Sequence, residues 1–194
     1  MSAPEVAPEP GWIPVKPFRL EGGRASFVSG EPDGERLRVR YFRRESDGRL
    51  VGRAWFGPGA QGPPGHAHGG SIAAVLDEAM GAAAWQAGHL VVAVQLNISF
   101  RTMLPLGTDT YLEAWVDGVD GRKVRTRGRL HAADGATFAE AEGLFLEIDA
   151  ERFRPMLEKA AADRGVSVEE LLARLPPSPS LPRAAGEGAP SRPK

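Results

Sequence analysis

The chain of 194 residues contains no cysteine. This absence excludes disulfides, thiolate metal sites and a cysteine nucleophile. Neither sign of charge is in excess, since 24 Lys and Arg against 25 Asp and Glu give a net charge of −1, and no basic field would attract nucleic acid. The first residues, MSAPEVAPEPGW, lack the basic and apolar parts of a signal peptide, and no apolar run approaches the ~20 residues that cross a bilayer. We therefore expect a cytoplasmic protein with neither nucleic-acid nor membrane partners.

The most informative segment is residues 61–81, QGPPGHAHGGSIAAVLDEAMG. Its glycine- and proline-rich loop leads through His68, Gly69 and Gly70 into a predicted alanine-rich helix. A helix start with little side-chain bulk leaves backbone N–H groups open to an incoming oxygen, and glycines allow close approach. Asp77, two turns further on, is a candidate general base or nucleophile. Polarising a carbonyl and then attacking it is the chemistry of acyl transfer.

The predicted helix, about residues 69–87, has the pattern of a buried element. Apolar residues recur at three- and four-residue spacing, and most of the remaining positions are Ala or Gly. The apolar positions are Ile72, Val75, Leu76, Ala79, Met80 and Ala83. Asp77 and Glu78 interrupt this helix, and an acid in such a setting is costly unless it is partnered or used in function.

The spacing between Gly70 and Asp77 predicts a shared site. Seven residues place the two on nearly the same helix face but about 10 Å apart along the axis, so one carbonyl cannot contact both. Two antiparallel helices in a two-fold dimer would bring one copy's helix start opposite the other copy's Asp77. We therefore expect an obligate homodimer, alone or as half of a dimer-of-dimers tetramer.

The organisation along the chain predicts one α+β domain at residues 15–150. A flexible arm is expected at 1–14, short C-terminal helices at 151–175 and a disordered tail rich in Pro, Gly, Ser and Ala at 176–194. Strands are expected before the helix at 18–27, 37–42 and 49–57, and after it at 91–101, 107–117, 122–131 and 137–148. Asp-Gly pairs at 47–48, 120–121 and 134–135 are strong hairpin signals.

The segment around His68-Gly69-Gly70 and Asp77 resembles the PaaI-like group of hotdog-fold thioesterases. It is most similar to the branch with the mitochondrial long-chain acyl-CoA thioesterases of animals, which share QGPPG before the HGG. The likeness continues through NISFRTMLPLGT at 97–108 and DGRK at 120–123, and covers about residues 36–149. It implies a curled antiparallel sheet wrapped around a central helix, hydrolysis of an acyl-CoA, and no metal or other cofactor.

The resemblance also implies roles for single residues. Asp77 would activate water or attack the thioester carbon, while the Gly70 N–H, together with Gly69, would hold the carbonyl oxygen as an oxyanion hole does. His68 would shape the loop and is a candidate for substrate contact. Further positions match those that hold the coenzyme A part or lie near it: Ser99, Arg101, Arg122, Lys123 and Asn97.

The chain departs from the family pattern at two positions. Gly62 stands where many PaaI-like enzymes have Asn, although the most similar branch lacks that Asn too. Ala93 stands where that branch has a hydroxyl residue that helps the Asp. Gln95 and Asn97, at period two on the same predicted strand, are candidates to orient the water instead.

Other interpretations of these features stay open. A non-catalytic hotdog module that binds acyl-CoA or an acylated carrier is the main alternative, with a dehydratase or hydratase ranked last. His66 and His68 could ligate zinc if Asp77 or His89 completed the site. The stripe formed by Lys123, Arg125, Arg127 and Arg129 indicates a solvated outer strand face, with phosphate contact as the alternative.

Overall fold

The structure is a computed structural model that describes residues 7–15, 26–31, 33–148, 154–162 and 165–173. Within these ranges one antiparallel sheet has the strand order β1-β2-β3-β5-β6-β7-β4, and the helix α1, Gly69–Gln86, packs against one of its faces. The strands are β1 Trp12–Val15, β2 Leu37–Arg44, β3 Leu50–Phe56, β4 Val91–Phe100, β5 Asp109–Asp120, β6 Lys123–His131 and β7 Thr137–Glu147. We call the sheet face that packs on α1 the inner face and the opposite one the outer face. The α+β hotdog architecture expected from the sequence is confirmed.

The three hairpins form where the Asp-Gly pairs predict them. Gly48, Gly121 and Gly135 have φ values of 72°, 55° and 87°, in the left-handed region that favours glycine. They connect β2 to β3, β5 to β6 and β6 to β7, and each of these pairs is antiparallel. Turn chemistry therefore fixes the register of most of the sheet.

The core lies between α1 and the inner face of the sheet. Buried apolar positions on α1 include Val75, Leu76 and Met80, each with no exposed surface. Gly128 of β6 lets the helix come close, because a Cβ atom there would lie 3.1 Å from the Met80 Cγ and 3.3 Å from a Leu76 methyl. This packing determines how far the helix start and Asp77 stand above the sheet.

A flexible arm was expected over residues 1–14, and the part of it that the structure describes, from residue 7, includes the start of a strand. Trp12 begins β1, which pairs with β2, and its ring centroid lies 5.6 Å from that of Phe42. The Glu9 carboxylate accepts hydrogen bonds from Arg53 and Tyr111, both at 2.9 Å. Residues 9–14 thus have specific partners on the sheet, which the proline-rich composition did not indicate. Most of the strand expected at 18–27 lies outside the described residues, and 27–29 form a turn.

Two short helices follow the sheet, α2 at Arg154–Ala162 and α3 at Val168–Ala173. Leu157 and Ala161 of α2 form a small apolar cluster of their own, against which Val166 and Val168 pack. The tail at 176–194, expected to be disordered, lies outside the described residues. Among the helices that the structure describes, none is long and apolar enough to span a membrane.

Candidate active site

His68 caps the start of α1. Its side-chain Nδ1 accepts a hydrogen bond from the Gly70 N–H at 2.8 Å, and its carbonyl oxygen accepts one from the Ser71 N–H at 2.9 Å. The Gly70 N–H is therefore not open to an incoming oxygen, as the sequence suggested it would be. The Gly69 N–H has no acceptor among the described residues. The free donor at this helix start is thus the first glycine of the pair.

Glycines at the loop before α1 and at the helix start pack closely against His68, and the contact at Gly62 is with its backbone. A Cβ atom at Gly62 would lie 2.7 Å from the His68 Cα, and a Cβ atom at Gly70 would lie 2.9 Å from the His68 Nδ1. An Asn at position 62, as in many PaaI-like enzymes, would therefore force this loop to move. A Cβ atom at Gly69 would lie 3.3 Å from the ring of Phe100, which is 55% exposed.

Asp77 lies half-buried on α1 and has no hydrogen-bond partner among the described residues. Burial, and secondly the charge of Glu78, raise the pKa of Asp77 above its ordinary value. Glu78 is different, because its carboxylate accepts hydrogen bonds from Ser26 and Tyr41. Of the two acids in this apolar helix, one is partnered and the other is left available for chemistry.

The residues matched to the coenzyme A site form two separate groups. Ser99 and Arg101 lie at the end of β4, with Ser99 opposite Glu140 and Arg101 bonded to Glu140 at 2.9 Å. Lys123 begins β6 opposite Leu146, and the neighbouring Arg122 donates to a carbonyl at the end of β7. The positions on β7 that lie opposite these two groups are six residues apart, which is about 20 Å along a strand. A single chain does not bring the two groups together.

A bulge in β4 decides which side chains share a face with Ala93. Ala93 pairs with Phe145, whereas Gln95 pairs with Leu144, so Val94 is the extra residue. Directly opposed residues point to the same face, and Phe145 belongs to the core. Ala93 is therefore on the inner face, and Gln95 and Asn97 are on the outer face. The expectation that either could replace a hydroxyl at position 93 of the same chain is wrong.

The outer face carries the arginine stripe and a groove of about 450 Å³ whose lining includes Asn97 and Ser99. Arg127 pairs with Asp117 at 3.1 Å, and Arg129 pairs with Glu113 at 2.9 Å. Burial would raise the pKa of Glu113, but the hydrogen bond from Arg44 and the charges of Arg44 and Arg129 hold it below its ordinary value. These ion pairs agree with the solvated outer face expected from the sequence.

The residues considered for a zinc site have other partners. His66 contacts the Pro64 carbonyl oxygen at 2.9 Å, and His68 caps α1. His89 lies beyond the far end of α1, with its Nδ1 2.6 Å from a Glu147 carboxylate oxygen. No group of three possible ligands converges within the described part of the chain.

Sequence reasoning missed two contributors to this region. The role of Glu78 depends on Ser26 and Tyr41, which are 52 and 37 residues away in the sequence. Contacts between residues so far apart cannot be predicted from local sequence spacing. Phe100 could have been found, because it shares the parity of Leu96 and Ile98, which pack on the core. That parity places its ring on the inner face, next to the start of α1.

Comparison with known proteins finds similarity to thioesterases. The family model described as "Thioesterase superfamily" matches residues 64–139, which include the HGG loop and Asp77. The Bos taurus acyl-coenzyme A thioesterase THEM4 is 32% identical over 127 residues, 65% of this chain and 52% of the relative. The Homo sapiens acyl-coenzyme A thioesterase THEM5 is 34% identical over 103 residues, 52% of this chain and 42% of the relative. The chain thus spans about half the length of these curated relatives.

Solved structures agree. A thioesterase superfamily protein is 35% identical with a TM-score of 0.54, covering 57% of this chain and 54% of that one. A Bacillus halodurans protein crystallised with CoA is 28% identical with a TM-score of 0.50, covering 56% and 73%. The PaaI protein of the E. coli phenylacetic acid degradation operon has a TM-score of 0.53 at 18% identity, covering 57% and 80%, which shows a shared fold. Residues 64–139 thus match the thioesterase superfamily, and the chain shares the hotdog fold of these structures.

Proposed function

We propose that this chain is an acyl-CoA thioesterase, which hydrolyses the thioester to a free acid and CoA. The observation that carries the proposal is Asp77, a half-buried carboxylate with a raised pKa and no hydrogen-bond partner among the described residues. It lies two turns from a glycine helix start with a free N–H. The names of the curated relatives and the CoA held by the Bacillus halodurans structure support this choice of substrate.

The chemistry needs one donor and one base. The free Gly69 N–H, rather than the capped Gly70 N–H, is the donor for the carbonyl oxygen, and it would hold the negative charge that develops there. Asp77 takes a proton from water as the water oxygen bonds to the thioester carbon, or attacks that carbon itself. The C–S bond then breaks, and the sulfur of CoA leaves and takes up a proton, from Asp77 in the first case and from solvent in the second. In the second case the acyl group is left on Asp77 as a mixed anhydride, which water then hydrolyses to the free acid and the Asp77 carboxylate.

A two-fold dimer would complete the site. Among the described strands β4 pairs only with β7, so its other edge is free, and Val92 and Val94 on it are 39% and 53% exposed. Antiparallel pairing of β4 with β4 of a second copy would place Ser99 and Arg101 of one chain at the level of Lys123 of the other. Three strand spacings would separate these groups, which is a distance of about 14 Å and within reach of one extended CoA molecule.

The exposed apolar surface near the helix start fits the acyl part of the substrate. Phe100 and Met103 are each 55% exposed, and the Phe100 ring lies against Gly69. A scattered apolar residue needs no explanation, but Phe100 adjoins the proposed oxyanion donor, and Met103 follows it three residues later in the chain. The acyl chain would leave the thioester along this surface.

The test is steady-state hydrolysis of short, medium, long and aryl acyl-CoAs by the wild type and by Asp77→Asn. We expect wild-type turnover on at least one chain class and a fall of about 10²- to 10⁴-fold in kcat for the variant. The affinity for CoA, measured by calorimetry, should be unchanged, because Asp77 lies on α1, away from the basic residues of the β5–β6 turn and the end of β4.

Two outcomes would contradict the proposal. Full activity of Asp77→Asn would remove Asp77 from the mechanism. CoA binding without hydrolysis of any substrate in the panel would favour the alternative, a non-catalytic module that binds acyl-CoA or an acylated carrier. The alanine at position 93, where the related branch has a hydroxyl, is the feature that favours this alternative.

A further inference from the structure

Glu78 is the one acid on α1 whose carboxylate has partners on both oxygens. Oε1 accepts a hydrogen bond from the Tyr41 hydroxyl at 3.1 Å, and Oε2 accepts one from the Ser26 hydroxyl. Tyr41 comes from β2 and is only 5% exposed, and Ser26 comes from the turn before β2. Two separate parts of the chain thus converge on the residue of α1 that directly follows Asp77.

The turn that supplies Ser26 has hydrogen bonds of its own and packs on the core. The Ser26 hydroxyl oxygen accepts hydrogen bonds from the Val28 N–H at 3.2 Å and the Ser29 N–H at 3.4 Å. Val28 is 5% exposed and belongs to the main apolar cluster. The hydroxyl therefore has its acceptor capacity satisfied by the turn and directs its proton to Glu78.

We propose that Glu78 is a positioning residue for Asp77. Its carboxylate, fixed by Ser26 and Tyr41, keeps a negative charge beside the proposed base and holds the 26–29 turn against α1. The inference rests on the proposed function, because it assigns Glu78 a role through Asp77 and not through contact with the substrate.

The electrostatic consequence follows from the neighbouring groups. The pKa of Asp77 is raised by burial and then by the charge of Glu78. The pKa of the Tyr41 hydroxyl is raised well above its ordinary value by burial, then by Glu78 and by Asp77, so the hydroxyl stays protonated and can donate. Among the described residues, Asp77, Glu78 and Tyr41 are the titratable groups that interact electrostatically at this place. A carboxylate with a higher pKa is a stronger base toward water.

The experiment compares the pH dependence of kcat/KM for the wild type, Glu78→Gln and the control Glu45→Gln. Glu45 is an exposed acid in the β2–β3 turn. Removing the charge at position 78 should lower the pKa of Asp77, so the acid limb of the profile should move to lower pH. We expect kcat at the optimum to fall and KM for the acyl-CoA to stay the same, with the control unchanged.

An acid limb that stays in place in Glu78→Gln, or moves equally in Glu45→Gln, would overturn the inference. If Glu78→Gln does not fold, the double variant Ser26→Ala, Tyr41→Phe keeps the acid but removes both donors. It should move the acid limb in the same direction by less, and an unchanged limb would again contradict the role. Failure of the proposed function would be distinct, because Asp77→Asn would then retain its activity.

Discussion

At the scale of single residues, the proposed base, Asp77, should lower the stability of the folded chain. The pKa of Asp77 is raised in the folded state by burial and by Glu78. Between the unfolded and folded pKa values the folded chain binds more protons, so stability falls as pH rises through this window, and the loss is complete above the folded pKa. Once ionised, Asp77 therefore destabilises the folded chain.

We accordingly predict that Asp77→Asn raises the melting temperature at pH 7 by about 1–3 °C, the size expected when an active-site acid is neutralised. The gain should shrink as the pH is lowered and vanish below the pKa of an unfolded Asp, where both chains are neutral at this position. Thermal unfolding at pH 7 and pH 3.5 measures it, and Asp134→Asn, an exposed change in the β6–β7 turn, is the control. A variant less stable than the wild type at pH 7 would contradict the argument.

The same scale shows what the sequence could and could not predict. The HGG loop and Asp77 were identified as candidates because the chemistry proposed for them depends on residue type and local spacing. The choice between Gly69 and Gly70 as donor was not, because it depends on which way the imidazole of His68 turns to cap the helix. The partners of Glu78 were missed because they come from distant parts of the chain.

At the scale of elements, the contact between α1 and β6 depends on Gly128. We predict that Gly128→Val destabilises the fold by about 1–3 kcal/mol, because its Cβ alone would lie 3.1 Å from the Met80 Cγ and a branched side chain would push the helix off the sheet. Urea unfolding followed by circular dichroism measures the change. Arg125→Val, on the exposed outer face of the same strand, should cost far less, and equal losses would show that the contact between Gly128 and α1 is not the cause.

Periodicity and Asp-Gly turns predicted α1 and the strands after it to within three residues, because those signals are local. The bulge at Val94 was not predictable in this way. A single extra residue in β4 exchanges the sheet faces to which the later side chains point. The sequence does not show this exchange, and only the pairing with β7 reveals it. This one insertion moves Gln95 and Asn97 away from the proposed site.

At the scale of the whole molecule, the question is whether two copies share each site. The free edge of β4 and the separation of the CoA-matched groups within one chain support the dimer that the helix geometry predicts. Asp77→Asn removes the base, and Gly69→Pro removes the proposed donor N–H. Proline is well tolerated at this first helical position, and the residue before it, His68, has ψ of 135°, which suits a following proline.

These two variants should each be inactive alone and should complement each other when mixed. If each site takes the acid from one copy and the amide from the other, a mixed dimer has one site with both changes and one with neither. After unfolding and refolding equal amounts together, half of the dimers are mixed, so about one quarter of wild-type activity should return. Mixing Asp77→Asn with itself is the control. If both groups of each site came from the same copy, a mixed dimer would contain only sites with one change, and no activity would return.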